Sequence, residues 1–431
     1  MKKNLLYVLA LMASVTFFTA CSDDDDNSWK EIPSTEIKGE NATLTVNGQV
    51  VTGSVQLQAK NGEQGVLKLN NIVNGYDNVD IDVALVKQPD ESFNFSGEKV
   101  LSSATTKVVD IAAMTTTVKV TGNVTMDGKA TVEVATEFAG GITGTWYLTD
   151  SIVMSKQSEI EESPLYFIWN APGHYINGEG SALSSSQIAS IAQLVLVPIL
   201  SDVLNQVNFA ADGNITAKYY SGTEFSMNWI IEHMGQIIPS RGKAWTDSPS
   251  GLINWYIKDD KLYVIPNIGN IIAQVIKDSG KSDIGNLDLT SILDSLKGMS
   301  GKDIKALLSG LLPKDLPLDL TKISDAKMEE MVGWLTSGIP LNYKTKNITL
   351  KNAKTLTSLY VYVDKDFVDP FMPLLFPLLP QVDKMMQEAA PDLYPLLSYM
   401  LGIKSLAEIE NLWKDTDKFE IGIELANKSF K

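Results

Sequence analysis

The sequence predicts a mainly β, α+β protein: an antiparallel β domain over residues 37–140, then a β-barrel domain over 141–431 carrying three helical insertions. Three observations predict it. Apolar residues recur with period two in short runs, the mark of a half-buried strand. Pairs that tolerate positive φ, such as Asn47-Gly48, Asn61-Gly62, Asp127-Gly128 and Asp212-Gly213, separate those runs as hairpin turns do. Three long stretches near 184–205, 268–336 and 367–413 break the alternation with helical spacing or continuous apolar runs.

Residues 1–20 precede both domains. Lys2 and Lys3 lead into an apolar run from Leu5 to Phe18, then Thr19, Ala20, Cys21, Ser22 and four aspartates, Asp23, Asp24, Asp25 and Asp26. A charged start, a short apolar run and a small residue before a cut site make a signal peptide. The run is too short for a spanning helix, which needs about 20 apolar residues. Around Cys21 the pattern resembles a bacterial lipoprotein signal, with Phe18 where leucine is commonest; the resemblance implies that Cys21 is the lipid-attachment residue. Ser22 to Asp26 resembles the acidic export tag of Bacteroidota lipoproteins that face the cell exterior. The expected location is therefore the outer membrane, held by the Cys21 anchor. One acyl chain holds only marginally, whereas several hold firmly. Residues 27–36 read as a linker, so 21–36 form tag and linker together.

In the first domain Leu44 and Val46 alternate with Thr43 and Thr45 before Asn47-Gly48. Val55, Leu57 and Ala59 lead to Asn61-Gly62, and Val79, Ile81, Val83 and Leu85 alternate with Asp80 and Asp82. Val118, Val120, Val124 and Met126 run to Asp127-Gly128, and Ala130, Val132 and Val134 run back. About seven antiparallel strands are expected, ending near Gly140-Gly141.

The second domain opens Gly144-Thr145-Trp146-Tyr147-Leu148. Gly-x-Trp at the start of a strand resembles the first-strand signature of lipocalins and related calycin barrels, which implies a calycin-like barrel with Trp146 at its base. Further runs support hairpins: 209–211 with 215–219, Ile253, Trp255 and Ile257 with Leu262 and Val264 across Asp259-Asp260, and Leu359, Val361 and Val363 among tyrosines. Phe419, Ile421, Ile423 and Leu425 alternate with Glu420, Gly422 and Glu424, the pattern of a half-exposed strand. The first insertion opens with Ser184-x-x-Gln187, a capping box, and Pro198 is expected to kink its helix. A short helix is expected over Asp325–Thr336, with Met328, Met331 and Leu335 on one face. The third insertion starts at Phe367 with prolines at 370, 373, 377 and 380.

Composition narrows the function. There are 36 Lys plus Arg against 52 Asp plus Glu, a net charge of −16, so a phosphate backbone would be repelled and nucleic acid is excluded as a partner. Cys21 is the single cysteine, which leaves no disulfide and no thiolate metal site. The two histidines, His174 in a turn and His233 after an apolar stretch, have no neighbours at metal-ligand spacing. Asp364-x-Asp366-x-x-Asp369 lacks the spacing and glycine of a calcium loop and reads as the exit from a strand, with Asp369 capping the next helix. Asp150-Ser151-Ile152 and Asp294-Ser295-Leu296 resemble the Bacteroidota O-glycosylation triplet. No Gly-x-Ser-x-Gly, HExxH or phosphate loop occurs. Glu161 and Glu162 are adjacent and point apart, though carboxylates from distant strands can still meet.

The chain thus resembles Bacteroidota surface lipoproteins of uncharacterised, domain-of-unknown-function type. The expected function is non-enzymatic, with no cofactor: binding of an apolar or amphipathic ligand in a barrel cavity lined by Trp146, Trp255 and Phe419. A glycan-binding or partner-binding accessory protein of a surface uptake or adhesion system is the second expectation. A hydrolase is the third.

Overall fold

The computed structural model describes residues 27–102, 113–156, 159–171, 184–240, 242–279, 298–311, 318–349, 355–389 and 405–428, with 391, 394, 395 and 398. Cys21, the Ser22–Asp26 tag, His174 and the Asp294 triplet lie outside the described residues. The fold is mainly β with several helices, and it divides into two compact units. One unit holds residues up to Ile72 with Asn78–Glu98 and Lys119–Val134; the other holds Val73–Asp77, Lys99–Val118 and Ala135–Lys431.

Nine strands form the first sheet: β1 (Ile37–Lys38), β2 (Ala42–Val46), β3 (Gln49–Val50), β4 (Ser54–Ala59), β5 (Gln64–Asn70), β6 (Asn78–Lys87), β7 (Phe93–Ser102), β8 (Thr115–Val124) and β9 (Ala130–Ala139). Their order is β1-β4-β5-β6-β7-β8-β9-β2-β3. The expected turn at Asn47-Gly48 is present, with φ of 50° and 80°. Burial alternates residue by residue along β6 and β9, so one face makes the core. Two features differ from the sequence reading: there are more strands, and β2 lies parallel to β9. β2 is far from β9 in sequence, so no hairpin forces the pair antiparallel. Only Gly39–Asn41 separate β1 from β2, yet these strands stand near opposite ends of the sheet order. Three residues span at most about 11 Å, so the sheet curls until its ends approach.

The second unit contains a 10-stranded, curled half-barrel sheet. It comprises β10 (Gly144–Leu148), β13 (Leu165–Asn170), β14 (Leu204–Phe209), β15 (Ile215–Tyr219), β16 (Thr246–Asp247), β17 (Ile253–Lys258), β18 (Lys261–Pro266), β19 (Ile339–Thr349), β20 (Thr355–Asp364) and β21 (Lys418–Ala426). β11 (Val153–Met154) and β12 (Ile160–Glu162) pair separately. The path runs β16-β15-β14-β10-β21-β20-β19-β18-β17, with β13 beside the first half of β21 and β10 beside its last residues. The two ends meet at one bridge, Asn214 with Asn254, and at the Trp255 N–H donating to the Gly213 carbonyl. The sheet is therefore a half-barrel and not a barrel closed along a full seam.

Two apolar clusters fill the face that carries Trp146 and Leu425. One gathers Trp146, Trp255, Phe138, Phe209, Leu359 and Leu425. The other gathers Trp169, Ile188, Met372, Leu412 and Trp413, with Phe419 packed against it. The first insertion forms the Ser185–Val203 helix, with both capping-box bonds at Ser184 and Gln187. It continues through Pro198 as one element and packs on β13. It is long and apolar enough to cross a bilayer, yet it buries Ser190, Gln193, Ser201 and Asp202 in this unit. The Asp325–Ser337 helix matches the expected one, capped by Ser324. Asp364, and not Asp369, caps the Lys365–Val368 helix by accepting from the Phe367 N–H; Asp369 instead accepts from Trp413 Nε1 at 2.7 Å.

Candidate functional site

β21 places its side chains on two different surfaces. Phe419, Ile423 and Leu425 pack in the apolar clusters, and Ile421 shares their face by alternation. Glu420, Gly422 and Glu424 face the other way, and the register sets tyrosines beside them: Tyr166 and Tyr362 flank Gly422, and Tyr360 lies opposite Glu424. Glycine is required at 422, because a Cβ there would lie 1.9 Å from the Val361 carbonyl oxygen. Tyr166 packs edge-on against Tyr360 and Tyr362, with centroids 5.0 and 5.3 Å apart.

Lys344 on β19 reaches over these rings, 4.6 Å from the Tyr166 centroid and 5.0 Å from that of Tyr362. Its Nζ donates to the Tyr166 hydroxyl at 2.6 Å, and that hydroxyl donates to Glu420. Burial raises the Tyr166 phenol above its ordinary value, and the bond to Glu420 adds to this. The group is a donor and not a phenolate. For Glu420, burial works upward, but the Tyr166 hydroxyl, Lys344 and Lys418 outweigh it and hold the carboxyl below its ordinary value.

Glu424 differs in kind. It is 1% exposed, although the alternation suggested a half-exposed strand. The reason is its neighbours: the β13–β21 ladder runs on to Pro164, whose carbonyl accepts from the Glu424 N–H, and Glu162, Ser163, Ser358 and Tyr360 gather round the carboxyl. Ser358 Oγ donates to Glu424 Oε1 at 2.9 Å, and the Tyr360 hydroxyl and the Ser163 N–H also reach the carboxyl. Among the described residues it forms no ion pair. Burial pushes its pKa up to about 7; the Ser358 bond opposes this and the charge of Glu162 adds to it. Glu162, from β12, pairs with Lys346 at 3.6 Å.

A cleft of about 320 Å³ opens at this place, lined by Glu161, Glu162, Ser163, Tyr166, Lys346 and Glu424, with Gln193 in its wall. Gln193 is 3% exposed. Its Nε2 donates to the Leu165 carbonyl at 2.7 Å and to Ser163 Oγ at 3.1 Å. A carbonyl can only accept, so this bond fixes which end of the amide is nitrogen. Gln193 Oε1 is buried and has no partner among the described residues.

The residues expected to line a cavity are placed differently. Trp255 is 1% exposed, with Phe138 and Phe209 at 4.9 and 5.5 Å and its Nε1 donating to the Ala210 carbonyl at 3.1 Å. Trp146 is buried in the same cluster, its Nε1 donating to Ile142 at 2.7 Å. Phe419 stands against Trp169 and Trp413, at 5.8 and 4.9 Å. So buried, Trp255 has almost no accessible surface to offer a ligand. His233 stacks on Trp229, and its Nδ1 meets the Trp229 carbonyl at 2.7 Å. Among the described residues no cluster of His, Cys, Asp or Glu has the make-up of a metal site.

Glu424, Gln193, Glu162 and Tyr166 were not singled out as a site in the sequence. One signal was present: Ser190 and Gln193 interrupt the otherwise apolar stretch from Ile188 to Leu200. The meeting of β12, β13 and β21 depends on strand order, which no spacing encodes. No family model, curated protein or solved structure matches this chain.

Proposed function

We propose that this is a non-enzymatic, lipid-anchored lipoprotein of the outer-membrane surface, whose second unit binds a hydroxyl-rich ligand of glycan type in the Glu424 cleft. The Lys2-Lys3, Leu5–Phe18 and Thr19-Ala20-Cys21 sequence supports the anchor, and Ser22 to Asp26 support surface display. One observation carries the ligand reading: Glu424, a buried carboxyl with no ion pair among the described residues, and Gln193, whose amide oxygen has no partner among them, line the same cleft beside Tyr166. Buried polar groups are ordinarily satisfied, so an exception in the wall of a cleft is one a ligand's donor could complete. Ligand sites combine such convergent polar groups with aromatic walls.

An apolar ligand is less well supported, because Trp146, Trp255 and Phe419 spend their surface on one another's clusters. A second reading, hydrolysis, draws on Glu162 and Glu424 sharing the cleft in different environments, as acid and base partners do. Probing an array of soluble oligosaccharides with the labelled protein tests both. Retention of a glycan by the parent, weakened at least tenfold in Gln193→Leu, is the expected result. Chain shortening during incubation would favour hydrolysis, and no retained glycan would refute the proposal.

A further inference from the structure

The chemistry of the cleft specifies its ligand more closely, on the reading that the cleft is a binding site. We propose that the ligand carries a protonated amine, an amino sugar being the class, which seats between the Glu424 carboxyl and Gln193 Oε1. The cleft offers acceptors in excess of donors. Among the described residues Glu161, Glu162 and Glu424 line it, Gln193 in its wall has an amide oxygen with no partner, and Lys346 is the one cationic lining residue. Lys346 already serves Glu162 and is largely exposed at the rim. Lys344, on the same sheet face, is held by Tyr166 and Glu420.

A neutral sugar hydroxyl brings one donor and also acceptors. An ammonium brings three donors, a positive charge and no acceptor, which is the complement of this wall. A metal ion is a poorer fit, since the donor set among the described residues is not that of a metal site. The groups facing Glu424 are Glu162 from β12, Tyr360 and Ser358 from β20, and the Ser163 N–H. None of these is cationic; Lys346, opposite Ser358 on β19, also lines the cleft but pairs with Glu162, so among the described residues no cation pairs with Glu424. Free, the carboxyl holds its proton up to about pH 7 because it is buried. An arriving ammonium favours the ionised form, so below pH 7 binding expels that proton to solvent.

Titration calorimetry of the full chain at pH 6 tests this with two probes, a glucosamine tetramer and its N-acetylated counterpart, which has the same hydroxyls and no charge. Each is run in two buffers of different ionisation heat. The expected result is at least tenfold tighter binding of the free-amine tetramer, with net proton release. Glu424→Gln should abolish both the preference and the release, and Gln193→Leu should weaken the free-amine tetramer alone. Equal affinity for the two tetramers, or preference for the acetylated one, would overturn the amine inference and leave the cleft reading standing. Binding of neither would overturn both, and so would binding unchanged in the two folded variants.

Discussion

Glu424→Gln should stabilise the second unit at alkaline pH, by an amount that follows from the burial of one carboxyl. Glutamine keeps the size of the side chain and the oxygen that accepts from Ser358. It removes the ionisation. In the folded protein Glu424 titrates at about 7, against an ordinary value of 4.5. Between those two pH values the folded state keeps a proton that the unfolded chain has given up. Stability contributed by this group is therefore whole below pH 4.5 and is lost as pH rises through 7. At about 1.4 kcal/mol per pH unit, the full loss is about 3 kcal/mol, of which about 2.5 kcal/mol falls between pH 5 and pH 8. The assay is urea unfolding of parent and variant at pH 5, 6, 7 and 8, followed by tryptophan fluorescence. All tryptophans but Trp29 belong to the second unit. The difference between the two proteins should shift by about 2.5 kcal/mol in favour of Gln as pH rises. Parallel profiles, within about 0.5 kcal/mol throughout, would mean that Glu424 ionises freely and that its burial has been misjudged.

Trp255→Ala should lower stability by about 3–5 kcal/mol in the same unfolding assay, since Trp255 fills a closed cluster; a loss below about 1 kcal/mol would place it at an open cavity. Gly422→Ala should cost about 2 kcal/mol or more, because the new methyl meets the Val361 carbonyl, and near-neutral melting would show that the strand yields there. Cys21→Ala should abolish fatty-acid labelling and membrane retention on fractionation; equal labelling of mutant and parent would refute the anchor. Replacing Asp23 to Asp26 with alanine should leave labelling intact but protect the protein from protease added to whole cells, and unchanged shaving would reduce the tag to a spacer.

Local signals carried most of the fold. Period-two alternation found the strands around Leu44, Val79, Leu359 and Ile421, and the Asn47-Gly48 and Asp259-Asp260 pairs lie in the left-handed region that a tight hairpin demands. Ser184 and Ser324 marked helix starts because a cap is a local bond. What depends on strand order was not legible. The parallel β2–β9 pair joins distant segments, and the half-barrel ends at one bridge between Asn214 and Asn254. The site failed to show for the same reason. Alternation correctly assigned Glu424 to the face opposite Leu425, but a strand does not encode whether that face meets water or other side chains. Likewise Trp146 and Trp255 were rightly placed inside, and only their shared cluster and the ring contacts of Trp255 show the interior there to be packed.

Hydrogen–deuterium exchange of the full chain, with and without a mixture of glucosamine and N-acetylglucosamine tetramers, tests the central claim most directly. Ligand binding in the Glu424 cleft should slow exchange in residues 160–168 and 420–426 and leave the Trp255 hairpin, 253–266, unchanged. Protection confined to that hairpin or to the apolar stretch 367–389, with the cleft strands exchanging as before, would contradict the account.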